Sequence, residues 1–319
     1  MCIRYGRGIQ VKVIQLAMLA ATLVVAQVLA SMSGISFFNL QNVRDLLLSS
    51  SVTLIVACGM SVVILIGSID LSVGAIATTA GMVSAWLLPA IGWWALVLGV
   101  AIGLVCGLVN GALYVYLRIP SILVTLGMAT ALSGAVMFIS GGESIAVMTP
   151  AVIRFVQASI LPGVPLLALY ALVVYVAVVG LQKKGVVGRH WLAIGGDENI
   201  ARTLGAGVDR AKILAFALSG TLAGLGGVLL MARLGTATVS MGDFLTLATI
   251  AAVVLGGTAI TGGHGGALGS IIGVLVVSTL ADLMNLIAVF PYWQDIIKGL
   301  VLVVALLITS FRQREFEVK

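Results

Sequence analysis

Residues 49–67 read SSSVTLIVACGMSVVILIG, a stretch without one charged side chain. An α-helix needs roughly 20 predominantly apolar residues to cross the hydrocarbon core of a bilayer. Similar runs fall at about 13–32, 72–91, 93–116, 121–140, 163–181, 210–233, 243–260, 267–288 and 294–311. Together they predict an all-α integral membrane protein of about ten transmembrane helices, a single domain spanning residues 1–319. The runs are continuous rather than alternating, which excludes a β-barrel. Two segments between runs, Ser33 to Arg44 and Gly141 to Pro162, leave room for short helices or loops on the membrane surface. Pro150, Pro162 and Pro165 punctuate the second, as expected at helix boundaries.

Composition agrees. Hydrophobic residues make up 61% of the 319-residue chain and charged residues 9%, whereas soluble domains carry about 25% charged residues. Too little polar surface remains to cover a water-soluble globule, so lipid must cover part of it. The net charge of +6 is not gathered into one patch, so a nucleic-acid partner is not expected. The basic residues sit between apolar runs, where they set membrane orientation. With ten crossings, Arg4, Arg7, Lys12, Arg118, Lys183, Lys184, Arg189, Arg202, Arg210, Lys212, Arg312, Arg314 and Lys319 share one side. Only Arg44, Arg154, Arg233 and Lys298 fall on the other. Basic loops stay inside, so both termini are predicted to be cytoplasmic. A basic start before an apolar run is also what a signal peptide has; because apolar segments continue throughout, the first run is read as a retained helix.

Small residues recur at helical spacing. Gly99, Gly103, Gly107 and Gly111 line one face of the fourth run, Gly220 and Gly224 repeat the device, and so do Gly265, Gly269 and Gly273. Such stripes let backbones approach closely where lipid offers no hydrophobic drive, and packing within one chain is the expectation. Cys58 and Cys106 lie inside apolar runs and read as packing residues. No metal site is expected from His190 and His264, and no catalytic or phosphate-loop motif occurs. Asp70, Asp243, Asp282 and Asp295 fall near predicted helix ends, where a charge reaches the interface cheaply. The coupling acid of an ion-driven transporter is therefore not apparent, which favours energy supplied from outside the chain.

Three segments stand out. In Gly67-Ser68-Ile69-Asp70-Leu71-Ser72-Val73-Gly74, the Asp70 carboxylate is placed to cap the next helix, with a role in transport left open beside it. In Gly195-Gly196-Asp197-Glu198-Asn199-Ile200-Ala201-Arg202-Thr203-Leu204-Gly205, within a long loop at about 182–210, Asp197, Glu198 or Asn199 caps a short helix closed by Gly205. Ile200, Ala201 and Leu204 would form its apolar side, and Glu198 and Arg202 an i,i+4 pair on the polar side. A short helix held out on the basic side is a docking knob for a soluble partner. In Val253 to Gly266, so many glycines break the helix. That break is either a pore-side bend or a tight cytoplasmic turn.

At these residues the chain resembles the ribose-type family of ATP-binding-cassette (ABC) importer permeases. Gly67 to Gly74 is similar to that family's G-I-D-L-S-V-G segment. Arg118-Ile119-Pro120-Ser121-Ile122-Leu123-Val124-Thr125-Leu126-Gly127, Ala193 to Gly205 and Ala251 to Gly266 resemble three further family segments, in the same order. The resemblance implies a type II importer-like permease in a bacterial inner membrane, itself non-catalytic and binding no cofactor. ATP and Mg would sit on a cytoplasmic ABC ATPase, a periplasmic sugar-binding protein would deliver a monosaccharide, and a second permease copy would complete a homo- or heterodimer. It further implies an ATPase-coupling helix at Gly196, Asp197, Glu198, Asn199, Ala201, Arg202 and Gly205. Candidates for the pore or gate are Asp70, Ser72, Pro120, Thr125, Gly256, Gly257, Thr258 and Thr261. Two positions depart from the pattern: Ser133 stands where an Arg is common, and Asp197 replaces a frequent Asn. Permeases for branched-chain amino acids or nucleosides share much of the glycine pattern, and an ion-coupled secondary transporter is the rival from another class.

Overall fold

The computed structural model describes residues 2–290, 292–301 and 303. Its helices are α1 (Cys2–Met32), α2 (Leu40–Leu65), α3 (Val73–Ile91), α4 (Trp94–Tyr116), α5 (Ser121–Ser140) and α6 (Pro150–Gln157). They continue with α7 (Leu166–Lys184), α8 (Val186–Gly196), α9 (Glu198–Thr203), α10 (Val208–Leu234), α11 (Asp243–Leu255) and α12 (Ala267–Leu286). Among the described residues eight helices are long and apolar enough to cross a membrane: α1 from Val13, α2, α3, α4, α5, α7, α10 and α12. Two of the ten expected runs account for the difference. Helix α11 has 13 residues, about 20 Å at 1.5 Å per residue, and stops where Gly257 turns to φ +84°. In the last run, residues 294–301 and 303 are helical, while 302 and 304–311 lie outside the described residues, as do Arg312, Arg314 and Lys319.

Local chemistry sets several boundaries. Helix α2 starts nine residues before its apolar run because the Asn39 side chain caps it, accepting the Asn42 N–H at 2.8 Å. A mixed segment carrying Gln41, Asn42, Arg44 and Asp45 thus extends it. The expected loop at 182–210 is largely helix: α7, α8 and α9 follow one another with single-residue joints at Gly185 and Asp197.

Helix α10 is the axis of the bundle, and its small residues are why. Gly220 and Gly224 meet Gly103 on α4, and Gly107 meets the Phe216 backbone, so these helices touch backbone to backbone. A Cβ at Gly59 on α2 would lie 2.8 Å from the Ser219 Cα. Gly227 abuts Ala77 on α3. Three neighbours therefore pack on one helix at distances that larger side chains forbid. The stripe on α12 is shorter than expected. Gly269 and Gly273 pack on Gly256 and Ala252 of α11, but Gly265 lies before the helix, in the turn beside Thr258.

Burial follows the same division. Helices α2 and α10 are mostly enclosed, whereas α1, α4, α5 and α7 turn Val24, Val105, Phe138 and Val176 outward. A belt of exposed aliphatic and aromatic groups is what lipid covers. At one end, β1 (Ile145–Ala146) pairs antiparallel with β4 (Thr236–Ala237), and β2 (Ser159–Leu161) with β3 (Val164–Pro165). Helix α6 seals this end: Phe155 stacks on Tyr170, and Gln157 donates to the Arg233 carbonyl at 2.7 Å.

Candidate functional site

The three segments singled out in the sequence meet at the opposite end. The Gly263 N–H donates to the Leu65 carbonyl at 3.0 Å. A Cβ at Gly195 would collide with that carbonyl and with the Gly263 nitrogen, and one at Gly262 would stand 2.6 Å from the Gly67 nitrogen. Gly67, Gly262 and Gly263 have φ of +74°, +87° and +75°, a region that side chains resist. The ends of α2, α8 and α11 thus close on one another through backbone alone.

Between α11 and α12 the chain forms a tight turn. Thr258, fully buried, accepts the Gly266 N–H at 3.0 Å, and the Gln182 side chain accepts the Ala267 N–H at 2.8 Å. Gln182, at the end of α7, so caps α12 and also donates to Ser61 on α2 at 3.2 Å. Gly256 packs on the Gly269 and Ser270 backbone, and the Thr261 carbonyl lies 3.0 Å from a Cβ placed at Gly67.

Helix α9 is held out beside this closure. Asp197 is its cap, accepting the Ile200 N–H at 3.0 Å, and Gly205 at φ +82° ends it. The apolar side is divided, against expectation. Ala201 is buried on the body, while Ile200 (59% exposed) and Leu204 (81% exposed) face outward. A helix of six residues spans less than two turns, so one small residue suffices to anchor it and leaves its larger apolar groups free. Its charges form a chain: Arg202 pairs with Glu198 at 3.5 Å and Asp209 at 2.7 Å, and Lys212 pairs with Glu198 at 2.6 Å. The Asn199 carbonyl accepts from the Thr203 hydroxyl at 2.9 Å, and Gly196 has open space around it.

Asp70 is not at an interface. It is fully buried, and the residue before α3 is Ser72, whose side chain makes no capping bond to the helix. One Asp70 oxygen accepts the Ser72 N–H at 3.0 Å and hydroxyl at 2.6 Å; the other accepts the Ser219 hydroxyl at 2.9 Å, near the middle of α10. Asn110 on α4 donates to the Ser72 hydroxyl at 2.9 Å, and Thr125 on α5 accepts the Leu71 N–H at 3.0 Å. Among the described residues no cation pairs with Asp70. Burial of a polar group is tolerable only with such partners. The turn between α2 and α3 is thereby tied to α4, α5 and α10. Asp282 also departs from expectation, half-buried on α12 with one carboxylate oxygen lacking a hydrogen bond.

Of the candidates, Asp70, Ser72 and Thr125 cluster, while Gly256, Gly257, Thr258 and Thr261 form the neighbouring turn. Pro120 precedes α5 and stays exposed there. Ser133 lies on the exposed face of α5. Sequence reasoning missed Asn110, Ser219, Ser68 and Tyr114. A lone Asn in the apolar run of α4 was a usable signal; a Ser in α10 was not.

A bundle of membrane helices with a polar turn locked inside it and a short charged helix outside it is the architecture of a transport protein. Residues 42–306 match the family model described as branched-chain amino acid transport system / permease component, and the chain belongs to this family. It is 35% identical over 287 residues to the ribose import permease of Bacillus subtilis (strain 168), covering 88% of each chain. The ribose import permease of Escherichia coli (strain K12) is 33% identical over 306 residues, 92% of this chain and 93% of that one. The D-allose transport system permease of the same strain is 31% identical over 287 residues, 88% and 87% respectively. No solved structure matches.

Proposed function

We propose that this chain is the membrane-spanning permease subunit of an ABC importer whose cargo is a monosaccharide or related sugar. The observation that carries the reading is α9. A capped, ion-paired helix that buries Ala201 and turns Ile200 and Leu204 outward is built to be covered by another protein. Basic residues crowd the same end, as they do on a cytoplasmic face. Both termini then lie in the cytoplasm of a bacterial cell, and lipid covers the exposed apolar belt. A cytoplasmic ATPase seats α9 through Gly196, Asp197, Glu198, Asn199, Ala201, Arg202 and Gly205, and carries the ATP and Mg. A sugar-binding protein docks on the opposite face, and a second permease copy completes the pathway. Asp70, Ser72, Pro120, Thr125, Gly256, Gly257, Thr258 and Thr261 belong to the pathway or its gate. ATP binding and substrate delivery bias two arrangements of the bundle, each by its differential affinity for them.

The cargo class rests on relatives named for ribose and D-allose. A second reading, import of a branched-chain amino acid, is favoured by the description of the matching family. Purification in mild detergent from the native membrane, followed by mass spectrometry, tests the assembly: a stoichiometric soluble ATPase is expected. Uptake of labelled D-ribose, D-allose and leucine into ATP-loaded proteoliposomes of that complex separates the cargoes. Uptake by the permease alone, driven by a proton or sodium gradient, would overturn the importer reading. Charge reversal, Glu198→Lys or Arg202→Glu, is expected to abolish uptake while hydrolysis continues. Normal uptake in both variants would remove α9 from the coupling role.

A further inference from the structure

The ion network of α9 does not end at the surface. Its last member, Lys212, lies on the first turns of α10 and is only 8% exposed. One side of its ammonium group meets Glu198 of α9 at 2.6 Å, and the group lies over the Tyr114 ring of α4, 4.7 Å from the centroid. The Tyr114 hydroxyl accepts from Ser68 at 3.2 Å, and the ring packs edge-on against Phe216 of α10 at 5.6 Å. Ser68 is buried and belongs to the turn that carries Asp70. A continuous path of polar contacts therefore leads from α9, through Glu198, Lys212, Tyr114 and Ser68, to the locked turn between α2 and α3.

From this path we infer that Lys212 is a positioning residue that makes α9 and the Asp70 turn move together; the inference rests on the coupling role proposed for α9. The physical reason is the cost of leaving an enclosed charge without its partner. Arg202 is 54% exposed at its side chain and has Asp209 at 2.7 Å as a second acid, so water and Asp209 hold it when α9 shifts. Lys212 has less freedom: it is enclosed, and Asp209 acts on it without an ion-pair contact. Its ion-pair partner among the described residues is Glu198, and an aromatic ring also lies against its head. A buried ammonium stripped of its carboxylate is strongly disfavoured, and its attraction to a ring face strengthens where water is excluded. When a partner presses on Ile200 and Leu204 and displaces Glu198, the ammonium follows. The Tyr114 ring then follows the ammonium, and Ser68 the Tyr114 hydroxyl. Asp209, Arg202 and Arg118 carry charge near the same corner; beside the backbone closure at Gly195, the side-chain path from α9 to the buried turn runs through Lys212.

The test has two arms. The first uses the detergent-purified full chain and needs no ATPase or sugar. Glu198→Gln and Ser68→Ala alter residues that share no contact, so without a coupling path between them their effects on the unfolding temperature would add. The inference expects them to be non-additive by about 2 °C or more. It also expects additivity to return in the Lys212→Met background, which keeps the unbranched apolar stem and removes the charge. Additivity in the wild-type background would overturn it. The second arm uses the complex with its ATPase in proteoliposomes and reads labelled D-ribose taken up per ATP hydrolysed. Lys212→Met should lower this ratio at least tenfold with hydrolysis retained, Lys212→Arg should restore most of it, and the exchange Glu198→Lys with Lys212→Glu should restore part. An unchanged ratio in Lys212→Met, or a loss that neither Lys212→Arg nor the exchange repairs, would overturn the inference. Failure of the importer reading is seen separately, as a chain that purifies without an ATPase while the first arm still reports on Lys212.

Discussion

The α9 network and the Asp70 cluster use the same bonds in different solvents. Around α9, Arg202, Lys212, Glu198 and Asp209 pair at 2.6 to 3.5 Å with three of the four side chains about half exposed. Around Asp70, donors stand at 2.6 to 3.0 Å from a carboxylate that no water reaches. Water competes for the bonds of Arg202 in the first, reaches Glu198 but hardly Lys212, and competes for none in the second. Exposed pairs contribute about 0–1 kcal/mol, whereas a buried donor left without its acceptor costs about 1–3 kcal/mol. The outer network can therefore be rearranged by a partner, and the inner cluster can only be moved as a unit.

Removing Asp70 would break the comparison most severely. Asp70→Ala leaves the Ser72 N–H, the Ser72 hydroxyl and the Ser219 hydroxyl without their acceptor. A loss of about 3 kcal/mol or more is expected, read as a drop in folded yield and in detergent unfolding temperature. Unchanged stability would mean that water enters the cluster. Ser219→Ala is gentler, because Asp70 keeps the two bonds from Ser72 on its other oxygen and one buried oxygen alone loses its donor; about 1–3 kcal/mol is expected in the same unfolding assay. Asp197→Ala tests the outer region by removing the cap of α9. It should cost about 1 kcal/mol locally, visible as faster amide exchange across Glu198–Thr203 with no change in the rest of the chain. The smallest effect belongs to Arg202→Ala, a slight drop in unfolding temperature at low salt that shrinks in high salt, because both its partners are solvated. A larger loss, insensitive to salt, would place α9 in the dry class.

Much of this was legible in the chain, for identifiable reasons. Spans such as 49–67 announce themselves because a bilayer demands length and apolarity in a contiguous stretch. Gly103, Gly107, Gly220 and Gly224 announced a close crossing because small residues repeating every fourth position can serve little else. Asp197 and Gly205 marked the ends of α9 through cap chemistry that is local in sequence. The failures were non-local. Asp70 sits six residues from Ile64 and beside a helix start, so it reads as a solvated end; only Ser219, 149 positions away, shows that it points inward. The split of Ile200 and Leu204 from Ala201 depends on which face of α9 the body occupies, which a six-residue helix does not encode.

The amino-acid sequence by itself determined a membrane protein, most of its helical segments, the close-packing glycine faces of α4 and α10 and the existence of a short charged helix on the basic side. These follow from periodicity, propensity and the price of exposing polar backbone to lipid, all of which act within one segment or its repeat. Only the tertiary structure decided that Gly67, Gly195 and Gly263 share one corner. It alone also decided that Asp70 is enclosed by α4 and α10, and that Lys212 spans the space between α9 and Tyr114. Those relations join residues far apart in the chain, and burial is a property of the neighbours a residue acquires when the helices pack.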